Sequence, residues 1–184
     1  MPSVRFQKVR SEDRLMEFHR KFCNHIEYQV PLEYFEKGSC YALIVNGEIV
    51  AGFCLVYRPA NELRSLQQVP YFCHTLYKDE FVYRVAEFTG YFIDKKSYAF
   101  KFTMNLVRIV LLSPAHYFVY SYPVDQKRLG KYYAKGKPIR IYSGKPRRLE
   151  GHPEGLDEER VEVLTKWGIV RIFLHRTRKY LRLF

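Results

Sequence analysis

Glu87 is a carboxylate in a run, Phe81 to Ile93, whose two faces are both largely apolar. A carboxylate held in such a strand loses hydration, and its pKa rises toward the range useful for proton transfer. The competing reading makes it an ordinary ion-pair partner of Arg84 or of a lysine at the strand surface. Tyr132 and Tyr133, in Lys131-Tyr-Tyr-Ala-Lys135, can each donate a phenolic proton, although in a chain with 16 Tyr a packing role is the default for either. His74 and His116 each stand alone, and a lone histidine beside an aromatic strand is a core or rim residue more often than a base. No His, Cys, Asp or Glu cluster has metal spacing, so no metal site is expected. The chain also lacks a Gly-x-Ser-x-Gly elbow, a P-loop and a dinucleotide fingerprint. Tyr117-Phe-Val-Tyr120 near basic residues has the rings to stack bases, but a β-strand core explains it more simply.

These groups need a scaffold, and its clearest part is Tyr41 to Tyr57, where two β-rich runs flank Asn46-Gly47. Asn-Gly supplies the two positive-φ residues of a type I′ turn, so the runs form an antiparallel hairpin. Before it, Val4 to Val9 reads as a strand, and Ser11-Glu12-Asp13 starts a helix carrying Leu15, Met16, Phe18, Phe22 and Ile26 as an apolar stripe. Pro31 redirects the chain, Leu32 to Lys37 adds a helical turn, and Gly38 marks the break. Arg58 to Asn61 is a turn, and Glu62 to Pro70 has no clear assignment. Phe81 to Ile93 reads as a central strand, with Val85, Glu87, Thr89, Tyr91 and Ile93 on one parity and Ala86, Phe88 and Phe92 on the other. Tyr98 to Leu112 is a buried helix stopped by Ser113-Pro114, and Ala115 to Tyr122 a second central strand. Strand, crossover helix and strand make a βαβ unit with parallel strands. Gln126 to Ala134 is a short helix and Pro138 to Ser143 a strand. Asp157-Glu158-Glu159 suits a helix N-terminus. The helix expected there carries Val163, Trp167, Val170, Leu174 and Leu181 on one face, and Arg171, His175, Arg178 and Arg182 on another. A strand at Ile169 to Leu174 competes with it, because Gly168 weakens the helix.

The 184 residues suffice for one domain with a core, read as 1–146, followed by a basic loop and helix over 147–184. With 47% hydrophobic and 17% aromatic residues the chain is not disordered. Cys23, Cys40, Cys54 and Cys73 show no CxxC spacing and read as core thiols. Met1 to Arg10 carries Arg5, Lys8 and Arg10 with no apolar run behind them, and no stretch reaches transmembrane length. A cytoplasmic protein is expected, with peripheral membrane contact as an extension. The net charge of +12 is concentrated after Gln126, where Lys and Arg far outnumber Asp and Glu. Such asymmetry points to an anionic partner, whether nucleic acid, acidic membrane or an acidic protein. A homodimer through the amphipathic tail is the other interaction expected.

The order of elements from Val4 to Ser143, with Glu87-Phe-Thr-Gly-Tyr-Phe-Ile-Asp94 and Gln126-Lys-Arg-Leu-Gly-Lys-Tyr-Tyr-Ala-Lys-Gly136, resembles the GNAT superfamily of N-acyltransferases. The resemblance implies an α/β fold: a mixed, mainly antiparallel sheet with a parallel, splayed strand pair and flanking helices. The pantetheine arm of an acyl thioester then enters between Glu87 to Ile93 and Tyr117 to Ser121, its amides pairing with backbone freed by the splay. Phe92, Ile93, Tyr117 and Val119 are the lining this implies. The family's glycine-rich loop before the next helix binds the coenzyme A pyrophosphate on its amides. Here that stretch is Asp94-Lys-Lys-Ser-Tyr-Ala-Phe-Lys101, with no glycine, leaving Lys95, Lys96, Ser97 and Lys101 to meet phosphate.

Phosphopantetheine on an acyl carrier protein carries one phosphate and welcomes a basic docking face. Autoinducer synthases and N-acyl amino acid synthases, which use such donors, look similar in the Glu87 strand. By resemblance, Glu87 deprotonates the amine and Tyr133 protonates the departing thiolate, with Tyr132 the register alternative. The activity implied is N-acyl transfer from acyl-CoA or acyl carrier protein to a small amine, with no tightly bound cofactor. The alternative is an inactive GNAT-like module that uses its basic third to bind nucleic acid, acidic membrane or a protein.

Overall fold

The computed structural model describes residues 2–26, 29–70, 84–152 and 158–181. The hairpin forms from β2 (Ser39–Val45) and β3 (Glu48–Val56), with Asn46 and Gly47 turning at φ 51° and 85°. β1 (Val4–Lys8) pairs antiparallel to β2. Between β1 and β2 in sequence lie α1 (Glu12–Ile26) and α2 (Leu32–Glu36). α1 buries Phe18, Phe22 and Cys23, whereas Met16 is exposed. Two residues turn a helix by roughly 200°, which takes Met16 off the stripe that Phe18 and Phe22 share. The unassigned connection contains a 3₁₀ turn, Ala60–Glu62, and a short helix, α3 (Arg64–Gln67).

β4 (Val85–Ile93) follows; Phe81 to Tyr83, His74 and Cys73 lie outside the described residues. A 3₁₀ turn, Lys96–Tyr98, leads into α4 (Ala99–Leu112), and β5 (Tyr117–Pro123) returns parallel to β4. α5 (Lys127–Tyr133), β6 (Ile139–Gly144), β7 (Glu159–Thr165) and α6 (Lys166–Leu181) complete the order. The sheet runs β1-β2-β3-β4-β5-β7-β6, and every pairing except β4 with β5 is antiparallel. One face carries Phe18, Phe22, Phe35 and Phe92, the other Phe53, Phe102, Leu106 and Phe118. Among the described residues no helix is long and apolar enough to cross a membrane.

The C-terminal third differs from expectation. No helix starts at the acidic run, because Glu159 to Leu164 is zipped between β5 and β6 as β7. The 146/147 division therefore does not follow the architecture: β7 is an inner strand of the same sheet. Nor is there a strand at Ile169 to Leu174, which is helical. The buried face of α6 also differs, since Val163 belongs to β7 and the helical wheel starts only at Lys166. Ile172 is buried and Ile169 packs on both neighbouring clusters, whereas Trp167 is 69% and Leu174 49% exposed. Gly168 is present for closeness: a Cβ there would sit 2.8 Å from the Gly136 carbonyl oxygen. Arg182 lies outside the described residues.

β4 carries one residue more than its partner. Gly52 pairs with Phe92 and Cys54 with Thr89, so two steps on β3 match three on β4. The surplus sits at Gly90, at φ +65°, as a β-bulge that bends the strand. Parity changes there: Val85 and Glu87 share the α1 face with Phe92, while Tyr91 and Ile93 join Ala86 and Phe88 on the α4 face. Past Glu87 the two parallel strands part, since only Val85, Ala86 and Glu87 pair with Tyr117, Phe118 and Val119.

Gly90→Ala should test this bend. Its Cβ would lie 3.0 Å from Phe35 and 3.1 Å from Phe18, in a left-handed conformation that costs a side chain energy. We expect a loss of about 2–4 kcal/mol in denaturant unfolding, from strain and overpacking together. An unchanged midpoint would mean that the ring edges yield freely.

Candidate functional site

The gap between β4 and β5 opens into a cavity of about 500 Å³ whose wall includes both Glu87 and Tyr133. Glu87 is buried, and its Oε2 accepts the Tyr34 hydroxyl at 2.7 Å and the Ser65 amide at 2.9 Å. Tyr34 is fixed in turn by the Arg64 amide, which donates to its hydroxyl at 3.0 Å. Thus α2 and α3, distant in sequence, hold one carboxylate. Burial raises its pKa, opposed by the Ser65 and Tyr34 hydrogen bonds and by the Arg64 charge. Arg84, the ion-pair partner in the competing reading, is exposed, and the cation that acts on Glu87 is Arg64.

Tyr133 approaches from α5, its ring 4.4 Å from Tyr120 and 5.5 Å from Tyr122, centroid to centroid. Burial first, then Tyr91 and the other nearby phenols and Glu162, raise its pKa, so it stays protonated at neutral pH. Tyr132 does not reach the cavity that Glu87 lines; it faces a second, apolar space. That space is about 70 Å³, between α4, α5 and α6, with Leu106, Phe118, Leu164 and Ile172 in its wall. It is roughly half of a 150 Å³ cavity that holds benzene, so it takes an apolar group of a few carbons. The two spaces meet at Phe88, Tyr91, Tyr120, Leu129 and Tyr133.

The far wall of the gap is braced from behind. Tyr120 donates to Glu162 at 3.0 Å, and Glu162 lies 3.8 Å from Arg140 and 4.0 Å from Arg160. Burial and the Glu162 charge push the Tyr120 pKa up. β5 is thus tied to β7 where it no longer pairs with β4.

The expected donor residues are not gathered at the gap. Tyr117 and Val119 are laddered to Val85 and Glu87, so the opening begins beyond them, at Tyr120 to Pro123. Phe92 is buried against Phe18, on the face the bulge assigned to it, and Ile93 packs beneath α4. Lys95 bonds Glu48 at 3.0 Å, a carboxylate it shares with Lys21. Lys96, Ser97 and Lys101 are exposed. The Tyr98 amide donates to the Lys95 carbonyl at 3.1 Å, closing the 3₁₀ turn and using an N–H that a diphosphate would need. His116 is exposed, outside the cavity. Among the described residues no group of His, Cys, Asp or Glu is arranged to hold a metal.

Sequence reading missed Tyr34, which donates to Glu87, and Arg64, Ser65, His152 and Glu159, which line the same cavity. Nothing local distinguishes Tyr34 from the other tyrosines. The one available signal was Ser65 after Arg64 in a polar stretch, too weak to name a site.

No protein-family model matches this sequence, and neither does any curated protein. Solved structures do match. FeeM, an N-acyl amino acid synthase from uncultured soil microbes, superposes with TM-score 0.60 at 13% identity, over 91% of this chain and 94% of its own. Arabidopsis thaliana NAA60 in complex with acetyl-CoA gives TM-score 0.60 at 9% identity, over 89% and 98%. An N-acetyltransferase from Staphylococcus aureus Mu50 gives 0.57 at 9%, over 89% and 98%. At these identities the likeness is one of fold: a mainly antiparallel sheet with one parallel pair among the described residues, flanked by helices.

Proposed function

We propose that this chain, which has the GNAT fold, is an N-acyltransferase that moves an acyl group from a thioester donor to a small amine. The observation that carries the reading is that Glu87 and Tyr133, from opposite faces of the sheet, line one cavity at the parted strands. In the reaction the amine nitrogen attacks the thioester carbonyl and its proton passes to Glu87, directly or through one water. The carbon–sulfur bond then breaks, and the leaving thiolate takes the Tyr133 proton. Backbone groups of β4 and β5 beyond Glu87 and Val119 pair with the pantetheine amides as an inserted strand would. The apolar space beside Tyr133 receives the acyl group.

Acyl-CoA and acyl-phosphopantetheine both present such a thioester, and the fold is shared with a protein solved in complex with acetyl-CoA. The committed Tyr98 amide and the absence of glycine favour a donor with a single phosphate, carried on acyl carrier protein, with Lys96 and Lys101 at the docking rim. The test is thiol release, followed colorimetrically, from one acyl group presented on coenzyme A and on carrier protein, with a panel of small amines. Amine-dependent release, faster from the carrier by roughly tenfold in kcat/KM, is expected. Equal or faster release from coenzyme A would remove the carrier preference, and no release from either would favour the inactive binding module. The occupied loop amide is the observation on that module's side.

A further inference from the structure

The surface of α4 and α6 that faces away from the sheet carries apolar side chains in an unusual setting. On α4, Phe100 is 55% and Met104 47% exposed; Arg108 and Leu111 continue the same stripe, and Leu112 is exposed beside it. On α6, Trp167 and Leu174, seven residues apart, flank an exposed Arg171, with exposed His175 beyond. The helices run antiparallel and touch along their length. Lys166, at the start of α6, donates to the Ser113 carbonyl at 2.6 Å at the end of α4, and the Phe173 ring lies 6.3 Å from Phe100 near the start of α4. The two stripes therefore form one continuous face. Neither helix contains an aspartate or glutamate.

We propose that this face docks on an anionic lipid bilayer. Half-exposed rings and aliphatic chains enter the acyl boundary, Trp167 sits at the headgroup level, and Arg108 and Arg171 meet lipid phosphates and carboxylates. Charge selects this occupant over a second copy of the chain, because a two-fold pair through this face would set cations against cations with no carboxylate to separate them. Nucleic acid would satisfy the cations but leave Phe100, Met104, Leu112 and Leu174 against water or phosphate. This surface is separate from the Glu87 cavity, and the proposal is independent of the reaction proposed for that cavity.

The chain reports on the face itself, since Trp167 is its only tryptophan. Full-length protein is titrated with vesicles of phosphatidylcholine, with and without about one third phosphatidylserine, while tryptophan emission and co-sedimentation are followed. The expected result is a blue shift and partitioning on the anionic vesicles, weakened by salt as the Debye length shortens. Arg108→Glu with Arg171→Glu should weaken partitioning by at least roughly tenfold, and Phe100→Ser with Met104→Ser should do so with melting temperature unchanged. No blue shift on anionic vesicles would overturn the proposal. It would equally fall if the parent bound RNA with emission quenched and ignored vesicles, or if the blue shift appeared without lipid as protein concentration rose, which marks self-association.

Discussion

Tyr133→Phe folds as the parent does and turns over about 10²- to 10⁴-fold more slowly, the range for a lost acid-base group. The variant keeps the ring, and the ring is what Tyr120 and Tyr122 pack against at 4.4 Å and 5.5 Å. The hydroxyl contributes little to the fold, for it makes no hydrogen bond to another described residue, so calorimetric melting should hardly move. Donor affinity should hold as well, because in the reaction proposed the pantetheine pairs with backbone. A kcat loss at constant donor Kd is the pattern of a group used only in the transition state. If Tyr133→Phe turns over like the parent, the phenol belongs to packing alone and the inactive-module reading takes precedence. Tyr132→Phe is the control: facing only the apolar space, it should leave the rate close to the parent's.

Glu87→Gln should lose turnover by a similar factor while remaining folded. Its side-chain oxygen can still accept from the Tyr34 hydroxyl and the Ser65 amide, which now meet Glu87 at 2.7 Å and 2.9 Å. Glu87→Ala differs: it leaves both donors unanswered in a buried place, at about 1–3 kcal/mol each, and part of its activity loss would be unfolding. The glutamine variant therefore separates chemistry from architecture. pH sharpens the distinction. Because burial raises the folded-state pKa of Glu87, its protonated form favours folding. That stability is fully present below the ordinary carboxylate range and is lost as pH rises through the folded pKa. Glutamine does not ionise, so relative to the parent Glu87→Gln gains stability as pH rises through that value. The parent's kcat/KM should rise over the same interval as the base becomes free. A flat parent profile, or a glutamine variant of full activity, would dismiss Glu87 as the base.

How much of this was legible in the chain depended on whether the determinant was local. Asn46-Gly47 carries its turn within two residues, and the hairpin follows from it. The βαβ unit was readable because α4 has both the apolar density of a buried helix and a Ser113-Pro114 stop. β7 was misread because Asp157-Glu158-Glu159 satisfies the electrostatics of a helix start. What overrules it is tertiary: Val161, Val163 and Leu164 are buried where this segment pairs with β5 and β6, a pairing that Asp157-Glu158-Glu159 does not announce. The error then moved into α6, whose wheel turns from Lys166 and so buries Ile172 rather than Trp167. Glu87 was reached through the resemblance of its strand, with its burial expected from its apolar neighbours. Its partners were not, since Tyr34 and Ser65 reach it through a fold that only the whole sheet defines.

The bulge at Gly90 has a consequence for recognising such chains. A regular strand keeps one beat from end to end, and β4 skips one. Phe88 and Tyr91, three residues apart, share a face, and so do Glu87 and Phe92, five apart. Written out, the strand shows a phase slip centred on a glycine, followed by a crossover helix. The slip is imposed by the need to bend one parallel strand away from its neighbour, not by the identity of any side chain. It is therefore readable in this chain although identity to the solved structures is only 9–13% and no family model matches. In this chain the skipped beat at Gly90 marks where the sheet parts, while the stretch Asp94 to Lys101 that follows it holds no glycine.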